Sequence, residues 1–225
     1  ILLFTDSEEL GLNGADLFVN KHKWAKDVGL VLNFEARGSG GPSYMLVETN
    51  GGNSNLIKGF TAANTKYPVA NSLAYSIYKM LPNDTDLTRF REDADIDGFN
   101  FAFIDDHFDY HTSNDTYERL DRNTLEHQGT YLLSMLNYFS QADLSTLKSN
   151  EDYIYFNVPL FKTVNYPFSW IWPMLVIAIV VFGFLIFLGF NNRRLKLNDL
   201  LKGWIPLLGS LVLSGGGGYL LWKFL

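Results

Sequence analysis

The chain has 225 residues, a formal net charge of −6 and no cysteine. The acidic balance argues against a nucleic-acid partner, and the lack of cysteine excludes disulfides and thiolate metal ligands. Any metal ion must therefore be held by histidine and carboxylate side chains. The composition also changes along the chain, because residues 1–166 are polar enough for a globular domain whereas residues 167–225 are strongly apolar.

The globular part alternates apolar segments of strand length with amphipathic segments of helix length, which predicts an α/β domain. Strands are predicted at residues 1–5 (ILLFT), 28–36, 43–49 and 98–105. Helices are predicted at residues 7–22, 53–64, 71–80 and 124–139.

Acidic and imidazole side chains fall where these predicted strands end. Glu8 and Glu9 follow the first strand, Glu35 ends the second, and His111 lies in the loop after the last. Ligands of open α/β sheets bind outside the carboxyl ends of the strands, and carboxylates with histidine are the ligands of hydrolytic zinc sites. Adjacent acidic residues are equally typical of a helix N-terminus, where the dipole favours negative charge.

Four segments in order, SEELGLNGA, NFEARGSGG, DTDLTRF and YHTSNDT, resemble the motifs of the di-zinc aminopeptidases, peptidase family M28, and especially its membrane-bound branch. The resemblance covers about residues 1–142, the expected C-terminal portion of a zinc peptidase catalytic domain. It implies the α/β fold class, with a zinc-exopeptidase-like mixed sheet flanked by helices and followed by transmembrane helices. The N-terminal part is expected to be missing, because the family's upstream His-x-Asp motif and bridging Asp do not occur here.

The resemblance also implies a role for each matching residue. Glu8 would be the general base, and Tyr110 would donate a hydrogen bond to the tetrahedral intermediate. Glu9 and His111 would bind one zinc ion and Glu35 the other, giving two zinc ions in the intact protein. The implied activity is removal of N-terminal residues from peptide substrates, and this chain alone is expected to be inactive because the bridging ligand is absent.

Two functions from other classes stay open. One is a non-catalytic, peptidase-like receptor or scaffold, which the upstream metal ligands would exclude. The other is a glutaminyl cyclase-like acyltransferase, which shares the scaffold but uses one zinc ion, so that zinc stoichiometry would distinguish it. Nothing in the sequence sets the oligomeric state.

The last third of the chain predicts two membrane spans and a lipid bilayer as partner. Residues 167–190 carry no charge, are long enough to cross a bilayer core, and begin with Trp170 and Trp172, as interfacial aromatics do. Residues 205–225 form the second apolar segment, and residues 143–166 are the predicted juxtamembrane linker.

A basic loop, residues 191–204, separates the two predicted spans. By the positive-inside rule this loop is cytoplasmic. The catalytic domain is then expected outside the cytoplasm, in the periplasm, the extracellular space or an organelle lumen. The basic residues are Arg193, Arg194, Lys196 and Lys202.

Overall fold

The computed structural model describes residues 1–82 and 84–224; Asn83 and Leu225, the last residue of the predicted second membrane segment, lie outside the described residues. The chain divides into two compact units, Ile1–Phe168 and the residues from Ser169 onward. Within its described residues the first unit has helices α1 Asn13–Lys21, α2 Ser54–Ala62, α3 Ser72–Met80, α4 Asp86–Ala94 and α5 Arg122–Phe139, and strands β1 Val31–Ala36, β2 Gly40–Glu48, β3 Gly98–Asp105, β4 Tyr153–Val158 and β5 Lys162–Pro167.

The main sheet of the described residues is mixed and has the strand order β1-β3-β2. Strand β3 runs parallel to β1 and antiparallel to β2. The carboxyl ends of β1 and β3 therefore meet at one edge, where β2 begins. This arrangement confirms the predicted mixed α/β sheet and brings the end of β1 close to the start of the loop after β3.

The core lies between this sheet and the helices, and its largest side chains are aromatic. Phe99 and Phe101 of β3 are fully buried with Met45 and Val47 of β2 and with Tyr131 of α5. Strand side chains alternate between the two faces of a sheet, so the even-numbered positions of β3 point away from this core. A smaller buried cluster joins helices α1 and α4.

The segment predicted as a juxtamembrane linker contains the β4–β5 hairpin, which belongs to the first compact unit. Tyr155 is fully buried in the main core. Its backbone N–H donates to Ser72 Oγ of α3 at 2.9 Å. The aromatic residues of this segment therefore pack in part against the globular unit.

The predicted first strand is wrong. Residues 1–5 form no strand, and among the described strands β1 pairs only with β3, so that no strand is paired with this segment. The side chains of residues 1–4 are exposed. An apolar run becomes a strand only when another strand satisfies its backbone groups. Helix α4, which the sequence pattern did not predict, follows the DT pair of DTDLTRF.

The second unit consists of helices α6 Ile171–Asn191 and α7 Leu197–Phe224 in its described part. The candidate spans, Phe168–Asn191 and Leu197–Phe224, have mean hydropathies of 2.8 and 1.3, and both are long and apolar enough to cross a membrane. Because α7 begins before residue 205, Lys202 lies on this helix, whereas Arg193 lies in the short connection between α6 and α7.

Candidate metal centre

The acidic pair lies in a turn ahead of α1. Gly11 and Leu12 have φ values of 118° and 61°, which an α-helix does not accommodate, and the N–H groups of both donate to the Glu8 carbonyl at 3.0 and 2.8 Å. Helix α1 therefore begins at Asn13 and not at residue 7. Glu8 and Glu9 are consequently not the first turn of a helix, which removes the simpler explanation of the pair.

A glycine is also required where this turn meets the helix. A Cβ on Gly14 would lie 2.5 Å from the Asp6 carbonyl oxygen, and the Gly14 N–H donates to the same oxygen at 3.1 Å. The spacing of the glycines in SEELGLNGA thus follows from the close approach of the helix to the segment before it. That approach fixes the position of the acidic pair.

The loop after β3 is anchored by a buried carboxylate. Asp109 is 3% exposed and accepts hydrogen bonds from Ser39 Oγ at 2.6 Å and from Arg119 Nε at 2.8 Å. These bonds, that from Arg119 above all, hold the pKa of Asp109 below its ordinary value. Because Ser39 follows β1, Asp109 ties the histidine-bearing loop to the end of that strand.

Three of the predicted site residues meet at this edge of the sheet. His111 Nε2 lies 2.6 Å from Glu9 Oε1, although 102 positions separate them in the chain. His111 has a φ of 57°, in the left-handed region, and its ring stacks on that of Tyr110 with centroids 3.8 Å apart. The Arg37 guanidinium lies 5.8 Å from the centre of the Tyr110 ring.

Glu35 occupies a more buried place at the end of β1. Its pKa is raised to about 7, chiefly by burial and also by the charges of Glu8 and Asp86, while a hydrogen bond from Asn33 opposes the increase. The Asn33 Nδ2 donates to Glu35 Oε1 at 2.9 Å. Within the described part of the chain no hydrogen bond or ion pair joins Glu35 to the Glu9–His111 pair.

Glu8 lies in the same electrostatic environment. Burial raises its pKa most, the charges of Glu9 and Asp86 add to the increase, and His111 opposes it. Asp86 is buried, accepts a hydrogen bond from the Thr5 hydroxyl through Oδ2, and has no hydrogen-bond partner for Oδ1 among residues 1–82 and 84–224. The centre therefore carries an excess of negative charge.

The side chains fit zinc in their chemistry. A carboxylate oxygen and an imidazole nitrogen face each other in the Glu9–His111 pair, and both atom types are zinc ligands. Burial is the main cause of the raised pKa values of Glu35 and Glu8, and a nearby cation would offset the further increase that comes from neighbouring carboxylates. Among the described residues, no three histidine, aspartate or glutamate side chains are grouped closely enough to hold one metal ion.

Sequence reasoning gave no role to three side chains that shape this centre: Asn33, Arg37 and Asp109. The first two lie within NFEARGSGG, on either side of Glu35, and Asp109 directly precedes the YHT motif. Their position beside predicted ligands was the available signal. The contacts of Asn33 with Asn100, of Arg37 with Tyr110, and of Asp109 with Ser39 and Arg119 join residues 10 to 73 positions apart and follow only from the fold.

The mixed sheet, with carboxylates and a histidine gathered at the carboxyl ends of its parallel strands, has the arrangement of the zinc-exopeptidase class of α/β proteins. The sequence model of the family described as Peptidase family M28 matches residues 1–136, and the chain belongs to this family.

Among curated proteins, endoplasmic reticulum metallopeptidase 1 of Rattus norvegicus is 30% identical over 192 residues, which cover 81% of this chain and 21% of that protein. The Homo sapiens protein of the same name is 28% identical over 221 residues, 95% of this chain and 24% of its own length. The vacuolar membrane protease of Candida dubliniensis is 29% identical over 157 residues, which cover 69% of this chain and 16% of that protein. The chain thus spans about a quarter or less of these relatives, and no solved structure gives a significant match.

Proposed function

We propose that the protein is a membrane-anchored zinc metallopeptidase that removes N-terminal residues from peptides. The observation that carries this proposal is the 2.6 Å contact between Glu9 and His111, two predicted ligands of the same ion that are remote in sequence. Membership of a peptidase family and the two candidate membrane spans support it.

The residues of the centre divide the chemistry among them. Glu9 and His111 would hold one zinc ion and Glu35 a second. Zinc, when bound, polarises the scissile carbonyl and makes water more acidic. Glu8 takes the proton from the attacking water and passes it to the leaving amine, a task that its raised proton affinity suits.

Tyr110 completes the set as a hydrogen-bond donor. Burial, followed by the charge of Glu9, raises the pKa of its phenol, so the hydroxyl keeps its proton at neutral pH. A protonated hydroxyl at the edge of the site stabilises the oxyanion that develops on the substrate carbonyl. The stacked His111 ring limits the motion of the Tyr110 side chain.

The excess of negative charge favours a substrate with a free N-terminus. Glu8, Glu35 and Asp86 repel one another electrostatically, and an ammonium group would relieve part of that repulsion. Peptides with a blocked N-terminus lose this attraction. The proposed specificity is therefore for unblocked peptides, whatever the side chain at the cleaved residue.

The test is hydrolysis of an aminoacyl chromogenic substrate by the intact protein. We expect turnover that a chelator abolishes and added zinc restores, and little turnover of the N-acetylated substrate. A scaffold protein would release no chromophore with either substrate. A glutaminyl cyclase-like enzyme would instead cyclise an N-terminal glutamine and bind one zinc ion per chain, and either result would contradict the proposal.

We also propose that the first unit lies outside the cytoplasm and that the connection between α6 and α7 is cytoplasmic, because Arg193, Arg194 and Lys196 cluster there. A membrane-impermeant thiol reagent is applied to the non-cytoplasmic side of a sealed membrane. Asn192→Cys should then remain unlabelled. Leu160→Cys, at an 87% exposed hairpin turn, should react readily. Residues 1–225 contribute no background labelling, because they contain no cysteine. The reverse labelling pattern would contradict this topology.

A further inference from the structure

A chain of buried polar side chains runs inward from Glu35. The register of β1 against β3 places Asn33 beside Asn100, which is 1% exposed. Alternation along the strands puts Asn33, Glu35 and Asn100 on the sheet face opposite Phe99 and Phe101. Polar groups this deeply buried are costly unless each is hydrogen-bonded, so their partners need an account.

Asn33 connects two members of this chain. Its Nδ2 donates to Glu35 Oε1 at 2.9 Å and to Asn100 Oδ1 at 2.8 Å. Both hydrogens of the amide nitrogen are therefore used. Asn33 thereby presents its nitrogen, and not its oxygen, to Glu35, and the Asn100 oxygen holds the amide in that orientation.

Asn100 is fixed from its other side. Thr85 Oγ1 donates to Asn100 Oδ1 at 3.2 Å, and Asn100 Nδ2 donates to the Tyr78 hydroxyl oxygen at 3.4 Å. The Asn100 oxygen thus accepts from both Asn33 and Thr85, while its nitrogen faces the Tyr78 hydroxyl. A flipped Asn100 amide would set its nitrogen against the Asn33 nitrogen, two donors with no acceptor between them.

Glu48 lies between two basic side chains. It is buried at the end of β2, and its Oε2 lies 3.2 Å from Lys79 Nζ and 3.1 Å from Arg91 Nε. Lys79 and Arg91 thereby hold the Glu48 carboxylate in place near Tyr78.

We propose that Asn100 and Tyr78 are positioning residues for Glu35. They act through Asn33 and fix the direction in which the Glu35 carboxylate faces the metal centre. The inference rests on the proposed function, because that function assigns a zinc ion to Glu35. Outer partners of metal ligands orient the ligand, and their loss typically costs roughly 10–100-fold in metal affinity or activity. Neither residue hydrogen-bonds to Glu35 directly among the described residues, and both act through Asn33.

The first test is Asn100→Leu in the intact protein. Zinc affinity is measured without substrate, by competition with a chromophoric chelator, and we expect the Kd of the affected ion to rise roughly 10–100-fold. Asn53→Leu is the matched control, because Asn53 is also buried and its Oδ1 accepts from the Tyr153 N–H at 2.7 Å, outside the chain of bonds to Glu35. The control should lower Tm and leave the Kd of zinc unchanged.

Two smaller substitutions test the same inference if Asn100→Leu does not fold. Tyr78→Phe removes only the hydroxyl that accepts from Asn100, whereas Tyr75→Phe removes a hydroxyl on the same helix near the same Glu48 charge. We expect weaker zinc binding for Tyr78→Phe alone. Equal zinc affinity for Tyr78→Phe and Tyr75→Phe would overturn the inference while the proposed function stands. If the protein without any substitution bound no zinc, both the inference and the proposed function would be overturned.

Discussion

Glu8→Gln in the intact protein should lower kcat by roughly 10²–10⁴-fold or more while zinc content stays the same. An amide cannot accept the proton of the attacking water, but it is close to glutamate in size. The carboxylates of Glu9, Glu35 and Asp86 remain in this variant, so the site should keep its metal ions without the Glu8 charge. The measurement is kcat with an aminoacyl chromogenic substrate, together with elemental analysis for zinc.

Glu9→Gln is the matched comparison, since it makes the same chemical change one residue further along. Glu9 Oε1 faces His111 Nε2 at 2.6 Å, so this variant removes a charged ligand and should lower zinc occupancy together with kcat. Loss of zinc from Glu8→Gln and its retention in Glu9→Gln would mean that the two roles are exchanged. Unchanged hydrolysis in both variants would contradict the peptidase assignment itself.

Phe101→Ala should destabilise the first unit by about 3–5 kcal/mol, the usual cost of removing a buried phenylalanine from a core. Phe101 is fully buried, and its ring centroid lies 5.1 Å from that of Phe34 and 4.7 Å from that of Tyr131. The central strand and α5 meet at this ring, so the surrounding side chains cannot readily fill the cavity that its removal leaves. Since domains are stable by about 5–15 kcal/mol, the loss is a large fraction of the total.

The measurement is the unfolding midpoint of the detergent-solubilised protein in denaturant or heat. Phe161→Ala is the control, because this phenylalanine is 74% exposed at the hairpin turn and its removal should change stability by no more than about 0.5 kcal/mol. Equal shifts for the two variants would show that Phe101 does not belong to the core of the folded state.

Predictions from the sequence succeeded where local pattern and global fold agree. The strand at 98–105 was predicted with the bounds that the structure gives it, because three phenylalanines alternate with small or polar residues and fit one buried face. The helices near α2, α3 and α5 and the apolar lengths of α6 and α7 were likewise clear from periodicity and composition. The family resemblance, carried by four short motifs in order, is confirmed over residues 1–136.

Other predictions failed because the deciding contacts are distant in sequence. Residues 1–5 have the composition of a strand but no hydrogen-bonding neighbour in the described sheet. The helix expected from residue 7 starts at Asn13, because Gly11 and Leu12 take positive φ values that depend on the turn. The β4–β5 hairpin lies within the predicted juxtamembrane linker, and the packing of its Tyr155 into the core was not predicted.

The sequence alone determined the family, the two apolar spans, the ligand chemistry open to a chain without cysteine, and the five candidate site residues. Only the tertiary structure decided that Glu9 meets His111 across 102 positions and that Glu35 is buried enough for its pKa to rise to about 7. Only the structure, too, connected Glu35 through Asn33 and Asn100 to Tyr78. The physical reason is that motifs record which groups are present, whereas hydrogen-bond direction and desolvation depend on neighbours that the folded chain brings together.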